Sequence, residues 1–152
     1  MRLIIDGDGC PAKKEVINLA KKYQVEVILI TSLSHYSDYS DCTYIVVDNL
    51  PQAVDMAVIN RVQKDDLVIT GDYGLAAIVL RKGAHVVSPR GKIYLEKKMD
   101  ELLLRRHLAQ KERRSGGRFK GPSKYTVSDK ERLLSVLERF FRRKKEIFAE
   151  NN

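Results

Sequence analysis

The sequence has little of what builds disulfide frameworks, zinc sites and membrane spans. Among 152 residues there are two cysteines, three histidines and no tryptophan. Cys10 and Cys42 form no CxxC pair, and no histidine stands at ligand spacing from either, which argues against a disulfide scaffold and structural zinc. No apolar run approaches the roughly 20 residues that cross a bilayer, and two aspartates within the first eight residues argue against a signal peptide. We therefore expect a cytoplasmic protein without a membrane partner.

The overall composition is that of a folded globular chain. Hydrophobic residues make up 43% and charged residues 32% of the sequence, and this length is enough for one domain with its own core. We predict a single domain over 1–152, with an α/β core over 1–91 and a basic helical extension over 92–152.

The net charge of +8 is concentrated near the C-terminus. Residues 105–145 hold 15 lysines and arginines against 4 acids. Such a patch favours a polyanionic partner, of which nucleic acid is the commonest. The alternative is a pair of solvated helices with no partner.

Short apolar runs alternate with helical patterns over the first two thirds of the chain. The predicted strands are 3–5, 25–31, 44–47, 67–70 and 84–87, and the predicted helices are 11–23, 51–62 and 72–82. This alternation predicts a mainly parallel sheet of about five strands with helices on both faces. After Gly91 we expect helices alone, the last one opened by a capping box of Ser128 and Glu131.

Four aspartates are candidates for one site. Asp6 and Asp8 follow the first strand, Asp72 follows the fourth, and Asp55 opens the second helix. Parallel strands end at one edge, where ligands usually bind, and an extended chain past Asp6 would send Asp6 and Asp8 to the same side. Converging carboxylates need neutralising, and oxygen ligands select Mg²⁺ or Mn²⁺.

Each candidate also has a plainer explanation. Asp72 would cap the third helix, Asp55 would complement a helix dipole, and Asp8 would be a turn residue. Cys10 precedes a helix N-terminus, where a thiolate is favoured, although a small buried turn residue is the alternative. Arg90 follows the fifth strand and would bind a phosphate, or else be an ordinary surface arginine.

Four motifs, taken in order, resemble those of the YaiI/YqxD-type family, small bacterial proteins placed with PIN-like nuclease folds. The motifs are Ile5-Asp6-Gly7-Asp8-Gly9-Cys10-Pro11, the stretch from Asp66 to Ala76 with Thr70-Gly71-Asp72, Pro89-Arg90-Gly91, and Gly121-Pro122. The resemblance covers nearly the whole chain. It implies a three-layer α/β/α sandwich similar to PIN domains, with a C-terminal helical extension.

The resemblance also implies a divalent-metal-dependent ribonuclease. Asp6, Asp55 and Asp72 match the family's acids, Asp8 would assist them as a metal ligand, and Cys10 and Thr70 are candidate auxiliary residues. Two departures stand out: Gln52 occupies a position that is often acidic, and no acid directly follows Asp72. The RNA backbone would contact the basic helices and the 115–125 loop, for which a flexible linker is the alternative. The candidate contacts are Arg90, Arg113, Arg114, Arg118, Lys120 and Lys124, with Phe119 and Tyr125 for base stacking.

Two other functions remain open. One is a non-catalytic RNA- or ribosome-associated binding protein, which the missing acids would favour and the basic extension would serve equally well. The other is a phosphatase of the haloacid dehalogenase type, suggested by Asp6-Gly7-Asp8, with Asp6 as nucleophile and Asp8 as acid/base. Against it, Cys10 stands where threonine or valine is usual, and short motif matches are often accidental.

Overall fold

A single mixed sheet organises the fold, which we describe from a computed structural model covering residues 1–39, 41–114, 116 and 123–150. Its strands are β1 (Leu3–Asp6), β2 (Val27–Ser32), β3 (Thr43–Val47), β4 (Leu67–Ile69), β5 (His85–Val87) and β6 (Ile93–Tyr94). The strand order is β3-β2-β1-β4-β5-β6. The first five strands are parallel and β6 is antiparallel to β5. The predicted parallel sheet is confirmed.

Helices cover both faces of this sheet. They are α1 (Lys13–Lys22), α2 (Ala53–Arg61), α3 (Tyr73–Arg81), α4 (Glu96–Arg114) and α5 (Val127–Glu150). Buried residues of α1 and α5 share one core with the sheet, and those of α2, α3 and α4 share the other. The three-layer α/β/α arrangement with a C-terminal helix is therefore confirmed. No helix in the described part of the chain combines the length and apolarity of a membrane span.

The central strand β1 explains why its sequence is apolar without interruption. Leu3 and Ile5 pack into the core of α1 and α5, and Ile4 packs into the opposite core. All three side chains are fully buried. A parallel strand with helices on both faces has no solvent side, so the usual alternation of polar and apolar residues is lost.

Helix α5 returns to the sheet over the turn that joins β5 and β6. Gly91 has φ +85°, and a Cβ there would lie 2.7 Å from the Arg132 carbonyl carbon. Only glycine permits both this conformation and this close approach. The helix begins two residues earlier than predicted, because Thr126 and Asp129 exchange backbone-to-side-chain hydrogen bonds of 2.9 and 3.1 Å. The capping box is thus Thr126 with Asp129, and the predicted pair of Ser128 and Glu131 was wrong.

Two further expectations differ from the structure. The chain after Gly91 is not helical throughout, since Ile93–Tyr94 pairs with β5 before α4 begins. Helix α1 begins at Lys13, two residues after Pro11, because residues 11 and 12 form a turn. Neither difference moves the ends of β1 and β4, which position the candidate site.

Candidate carboxylate site

The pairing of β1 with β4 brings the first two candidate acids together. Ile5 lies opposite Ile69 in register, so Asp6 and Thr70 end their strands side by side. The Thr70 Oγ1 hydroxyl donates to Asp6 Oδ2 at 2.9 Å and accepts from the Asp72 backbone N–H at 3.1 Å. Thr70 therefore connects the Asp6 carboxylate to the start of the Asp72 loop. This confirms that both acids lie at the carboxyl edge of the sheet.

Asp6 is the most buried of the four candidate acids. It is only 8% exposed, and its hydrogen-bond donor from a side chain is the neutral hydroxyl of Thr70. Burial, together with the negative charges of Asp55 and Asp8, raises the pKa of Asp6 to about 6, although the Thr70 hydrogen bond opposes the shift. The carboxylate is thus held near other negative charges, and no lysine, arginine or histidine in the described part of the chain forms an ion pair with it.

Asp55 and Asp72 complete the acidic group from the α2 and α3 side. Burial and the charge of Asp72 raise the pKa of Asp55, and the Arg106 guanidinium opposes that shift. The Asp72 side chain caps α3 by accepting from the Leu75 N–H at 3.1 Å. Its Oδ1 also lies 3.4 Å from Arg106 Nη1 on α4. The capping alternative for Asp72 is therefore correct, and the cap holds the carboxylate beside Asp55.

Asp8 is held at the end of β2, on the other side of β1 from Thr70. The strand ends at Asp6 and turns, with the Gly9 N–H donating to the Asp6 carbonyl at 3.3 Å. Asp8 Oδ1 accepts from the Ser32 N–H at 3.0 Å and from the hydroxyls of Ser32 and Thr31 at 3.1 and 3.3 Å. The expectation of an extended chain past Asp6 was wrong, because Asp6 bonds to β4 while Asp8 bonds to the end of β2. The charge of Asp8 still contributes to raising the pKa of Asp6.

The donor atoms at this edge suit a hard divalent cation, but they are not gathered into a finished cage. In the described ranges, no group of three or more His, Cys, Asp or Glu side chains is arranged to hold a metal ion. The carboxylates that influence one another across the edge supply oxygen only, the ligand type of Mg²⁺ and Mn²⁺. Donor chemistry and charge therefore fit such an ion, and ligation would need side-chain rotation.

Cys10 packs into the hydrophobic core. It is 2% exposed and lies among residues of α1 and α5. Burial raises the pKa of its thiol to about 11, so the thiol stays protonated at neutral pH. The structure favours the buried turn residue over an auxiliary role in catalysis.

Arg90 makes contacts within the chain. Its Nη1 donates to Asp129 Oδ2 at 2.9 Å and to Ser123 Oγ at 3.2 Å, and Nη2 donates to the Ser123 carbonyl. Its guanidinium also lies 5.8 Å from the Tyr125 ring centroid. These contacts fix the segment before α5 to the turn after β5. They favour a structural role for Arg90, and phosphate binding by it stays a prediction.

The predicted RNA contacts near the C-terminus are only partly visible. Arg118, Lys120 and Phe119 lie outside the described residues, as do the side chains of Arg113 and Arg114. Lys124 is exposed. Tyr125 is half-buried and donates to the Pro89 carbonyl at 2.8 Å, so its ring packs against the fold and is poorly placed for base stacking.

Sequence reasoning missed three polar side chains at this edge. Ser32 is buried and its Oγ lies 2.9 Å from His35 Nδ1, which is itself 3.5 Å from Asp8 Oδ1. The strand-end rule that singled out Asp6 applies equally to β2, and it would have found Ser32. Arg106 carried no such signal, because its contact with Asp72 spans 34 residues and depends on how α4 packs.

Comparison with known proteins shows which family the chain belongs to. Residues 4–143 match the family model described as "Uncharacterized BCR, YaiI/YqxD family". The chain belongs to this family. A "UPF0178 protein" of Clostridium perfringens is 45% identical over 140 residues, covering 91% of this chain and 93% of the relative. Relatives in Clostridium kluyveri and Halalkalibacterium halodurans are 43% identical over 137 residues and 39% over 138, covering 90% of this chain and 90% and 88% of their own lengths.

The family match confirms the resemblance seen in the motifs, and it extends through α4 into α5. The printed names of these relatives state no activity. No solved structure matches this chain. The comparisons therefore establish the family, while the likeness to PIN domains stays a prediction.

Proposed function

We propose that this protein is a divalent-metal-dependent nuclease that cleaves RNA phosphodiesters at the carboxyl edge of its sheet. One observation carries the proposal: Thr70 hydrogen-bonds to both Asp6 and the Asp72 loop, so that acids 66 residues apart in sequence lie at one edge. If each aspartate were only a helix cap or a turn residue, the aspartates would have no reason to lie at the same edge. Binding sites in open α/β sheets lie at the same edge.

The negative charges at the carboxyl edge support the proposal that a cation binds there. Asp6, Asp55 and Asp72 would hold Mg²⁺ or Mn²⁺, with Asp8 at the rim. When bound, such an ion lowers the pKa of water and stabilises a departing oxyanion. Thr70 fixes the orientation of the Asp6 carboxylate, and the α3 cap fixes that of Asp72. Arg106, at 3.4 Å from Asp72, supplies the nearest described cationic side chain to that carboxylate.

The test is cleavage of single-stranded RNA with Mn²⁺ by the wild type and by two isosteric variants. Asp6→Asn still accepts from Thr70, and Asp72→Asn still caps α3, since asparagine is an equally good N-cap residue. We expect each to lose more than about 100-fold in rate, because a lost ligand costs more than the 10–100-fold of an outer-shell partner. Asp100→Asn, an exposed acid on α4, is the matched control and should cleave normally. Wild-type protein without activity under any divalent metal would contradict the proposal.

A non-catalytic RNA-binding protein is the second candidate, and two observations favour it. The Asp72 carboxylate is already engaged by the α3 cap and Arg106, and the described residues contain no finished metal cage. Under this alternative, wild type and both variants bind RNA equally and none cleaves it. A phosphatase of the haloacid dehalogenase type would instead hydrolyse small phosphate esters and lose that activity in Asp6→Asn.

A further inference from the structure

A cleft between β6 and α4 carries positive charge that the proposed site does not use. It has a volume of about 210 Å³ and is lined by both elements. We name it the basic cleft and define it by its polar and exposed apolar residues, Lys92, Ile93, Leu95, Lys98, Glu101 and Arg105. Arg105 falls at the start of the basic segment 105–145 that the sequence assigned to a polyanionic partner, and the other five residues were not predicted to bind a ligand.

The charges of the basic cleft are unbalanced. It holds three cations and one acid, and the acid is already paired, since Glu101 Oε1 lies 2.5 Å from Arg105 Nη2. Over the residues that the structure describes, the ammonium groups of Lys92 and Lys98 contact no carboxylate. Two exposed cations therefore face one cleft without an internal counter-charge, which favours an anionic ligand.

The basic cleft lies next to the carboxylate edge. Ile93 is opposite Val87 at the carboxyl end of β5, so Lys92 stands at the same edge of the sheet as Asp6 and Asp72. On the α4 side, Arg105 is followed by Arg106, whose guanidinium contacts Asp72. Strands β4 and β5 separate β6 from β1, so a ligand in the cleft would reach Asp6 by extending along this edge past their carboxyl ends.

Apolar side chains lie between the cations. Ile93 is 40% exposed and Leu95 is 44% exposed, and both line the cleft. Alternating positive and apolar surface fits a chain that carries repeating phosphates and apolar nucleotide faces. An acidic peptide would satisfy the lysines but would leave this apolar surface in contact with carboxylate side chains.

We propose that the basic cleft binds the phosphate backbone of single-stranded RNA and leads it to the carboxylate edge, with Lys92, Lys98 and Arg105 as the phosphate contacts. This inference rests on the proposed function in one respect: the RNA is taken to run from the cleft to the carboxylate site because that site is proposed to cleave it. Binding in the cleft needs neither metal nor cleavage. RNA binding by the cleft and cleavage at the carboxylate site can therefore be refuted independently of each other.

The experiment measures RNA binding by fluorescence anisotropy in EDTA, with a labelled oligouridylate of about 12 nucleotides, a length within the known site sizes of single-strand binders. The double variant Lys92→Ala/Lys98→Ala is compared with Lys14→Ala/Lys97→Ala. The control pair is exposed, lies on α1 and α4, does not line the cleft, and removes the same charge. Far-UV circular dichroism checks that all proteins are folded.

We expect the cleft variant to weaken RNA binding by about tenfold or more near 0.1 M salt. The slope of log K against log salt should fall by about 1.4, because each single-strand phosphate contact contributes about 0.7. The control pair should change both quantities much less. Equal effects of the two double variants, no RNA binding by the wild type, or equal competition by polyglutamate would each overturn the inference. If the wild type binds RNA but never cleaves it, and the cleft variant alone loses binding, the result would support the cleft and refute the nuclease.

Discussion

The amino and carboxyl edges of the sheet each hold a buried aspartate, and the two aspartates have opposite surroundings. Asp66, just before β4 at the amino edge, is 3% exposed, and Asp6, at the carboxyl edge, is 8% exposed. Asp66 accepts from Arg2 Nη2 at 2.7 Å and from the backbone N–H groups of Gln63 and Arg2 at 2.8 and 3.1 Å. Asp6 accepts from the Thr70 hydroxyl and lies among other acids.

The pKa values of the two groups follow these surroundings. Burial alone would raise the pKa of Asp66, but the hydrogen bonds from Arg2 and Gln63 lower it below its ordinary value. Burial and neighbouring carboxylates raise the pKa of Asp6 instead. Removing one partner of a buried ion pair is strongly destabilising, whereas a buried carboxylate without a cation already lowers the stability of the fold when it is ionised. The difference teaches that the acid at the amino edge is satisfied within the fold, whereas the acid at the carboxyl edge has the unsatisfied charge that our proposed cation site requires.

The largest effect is expected at the amino edge. Asp66→Ala leaves the Arg2 guanidinium and two backbone N–H groups without their acceptor, which should lower the free energy of unfolding by about 3 kcal/mol. Urea unfolding followed by circular dichroism measures the change. Asp100→Ala, at an exposed site on α4, should change it by less than about 0.5 kcal/mol. If Asp66→Ala lowered the free energy of unfolding by no more than the control, the ion pair at the amino edge would not be important for stability.

A change of opposite sign is expected at the carboxyl edge. Without metal at pH 8, Asp6→Asn should raise the free energy of unfolding by about 2 to 3 kcal/mol, because ionising Asp6 with a folded-state pKa of about 6 against an ordinary 3.8 destabilises the folded wild type. The unfolded chain binds fewer protons than the folded one between those values, so the wild type loses stability as pH rises through this window. The advantage of the variant should therefore fade below about pH 4. Destabilisation at pH 8 would show that Asp6 is paired after all.

The smallest effect is expected at Arg106. Its contact with Asp72 is long, and both side chains are more than a third exposed, at 45% and 35%. Arg106→Ala should change the free energy of unfolding by less than about 0.5 kcal/mol, as for other exposed pairs. The same urea titration measures it. A loss as large as that of Asp66→Ala would mean that Arg106 satisfies the carboxyl edge as Arg2 satisfies the amino edge.

Much of the fold followed from local patterns in the sequence. Leu3, Ile4 and Ile5 form an unbroken apolar run because β1 is buried on both faces, and such runs identify central parallel strands. Placing Asp6 and Asp72 at one edge required only that β1 and β4 be parallel. The two-residue strand β6 was missed because its pairing with β5 depends on a turn and on tertiary packing.

The long-range side-chain contacts that distinguish a structural from a ligand-binding role were harder to predict. Arg90 could bind a phosphate or an acid of its own chain, and only the position of Asp129, 39 residues later, distinguishes these roles. Arg106 reaches Asp72 because α4 packs beside α3, which no local pattern specifies. Strand-end residues can thus be assigned to an edge from sequence, whereas their partners from distant helices cannot.

Whether the carboxyl edge is a cation site is tested most directly by a crystal of the protein soaked in Mn²⁺ and measured for anomalous scattering. We predict one peak bound by Asp6 with Asp55 or Asp72, and its absence from a crystal of Asp6→Asn. An edge without anomalous density at saturating Mn²⁺, with Arg106 still on Asp72, would contradict the account.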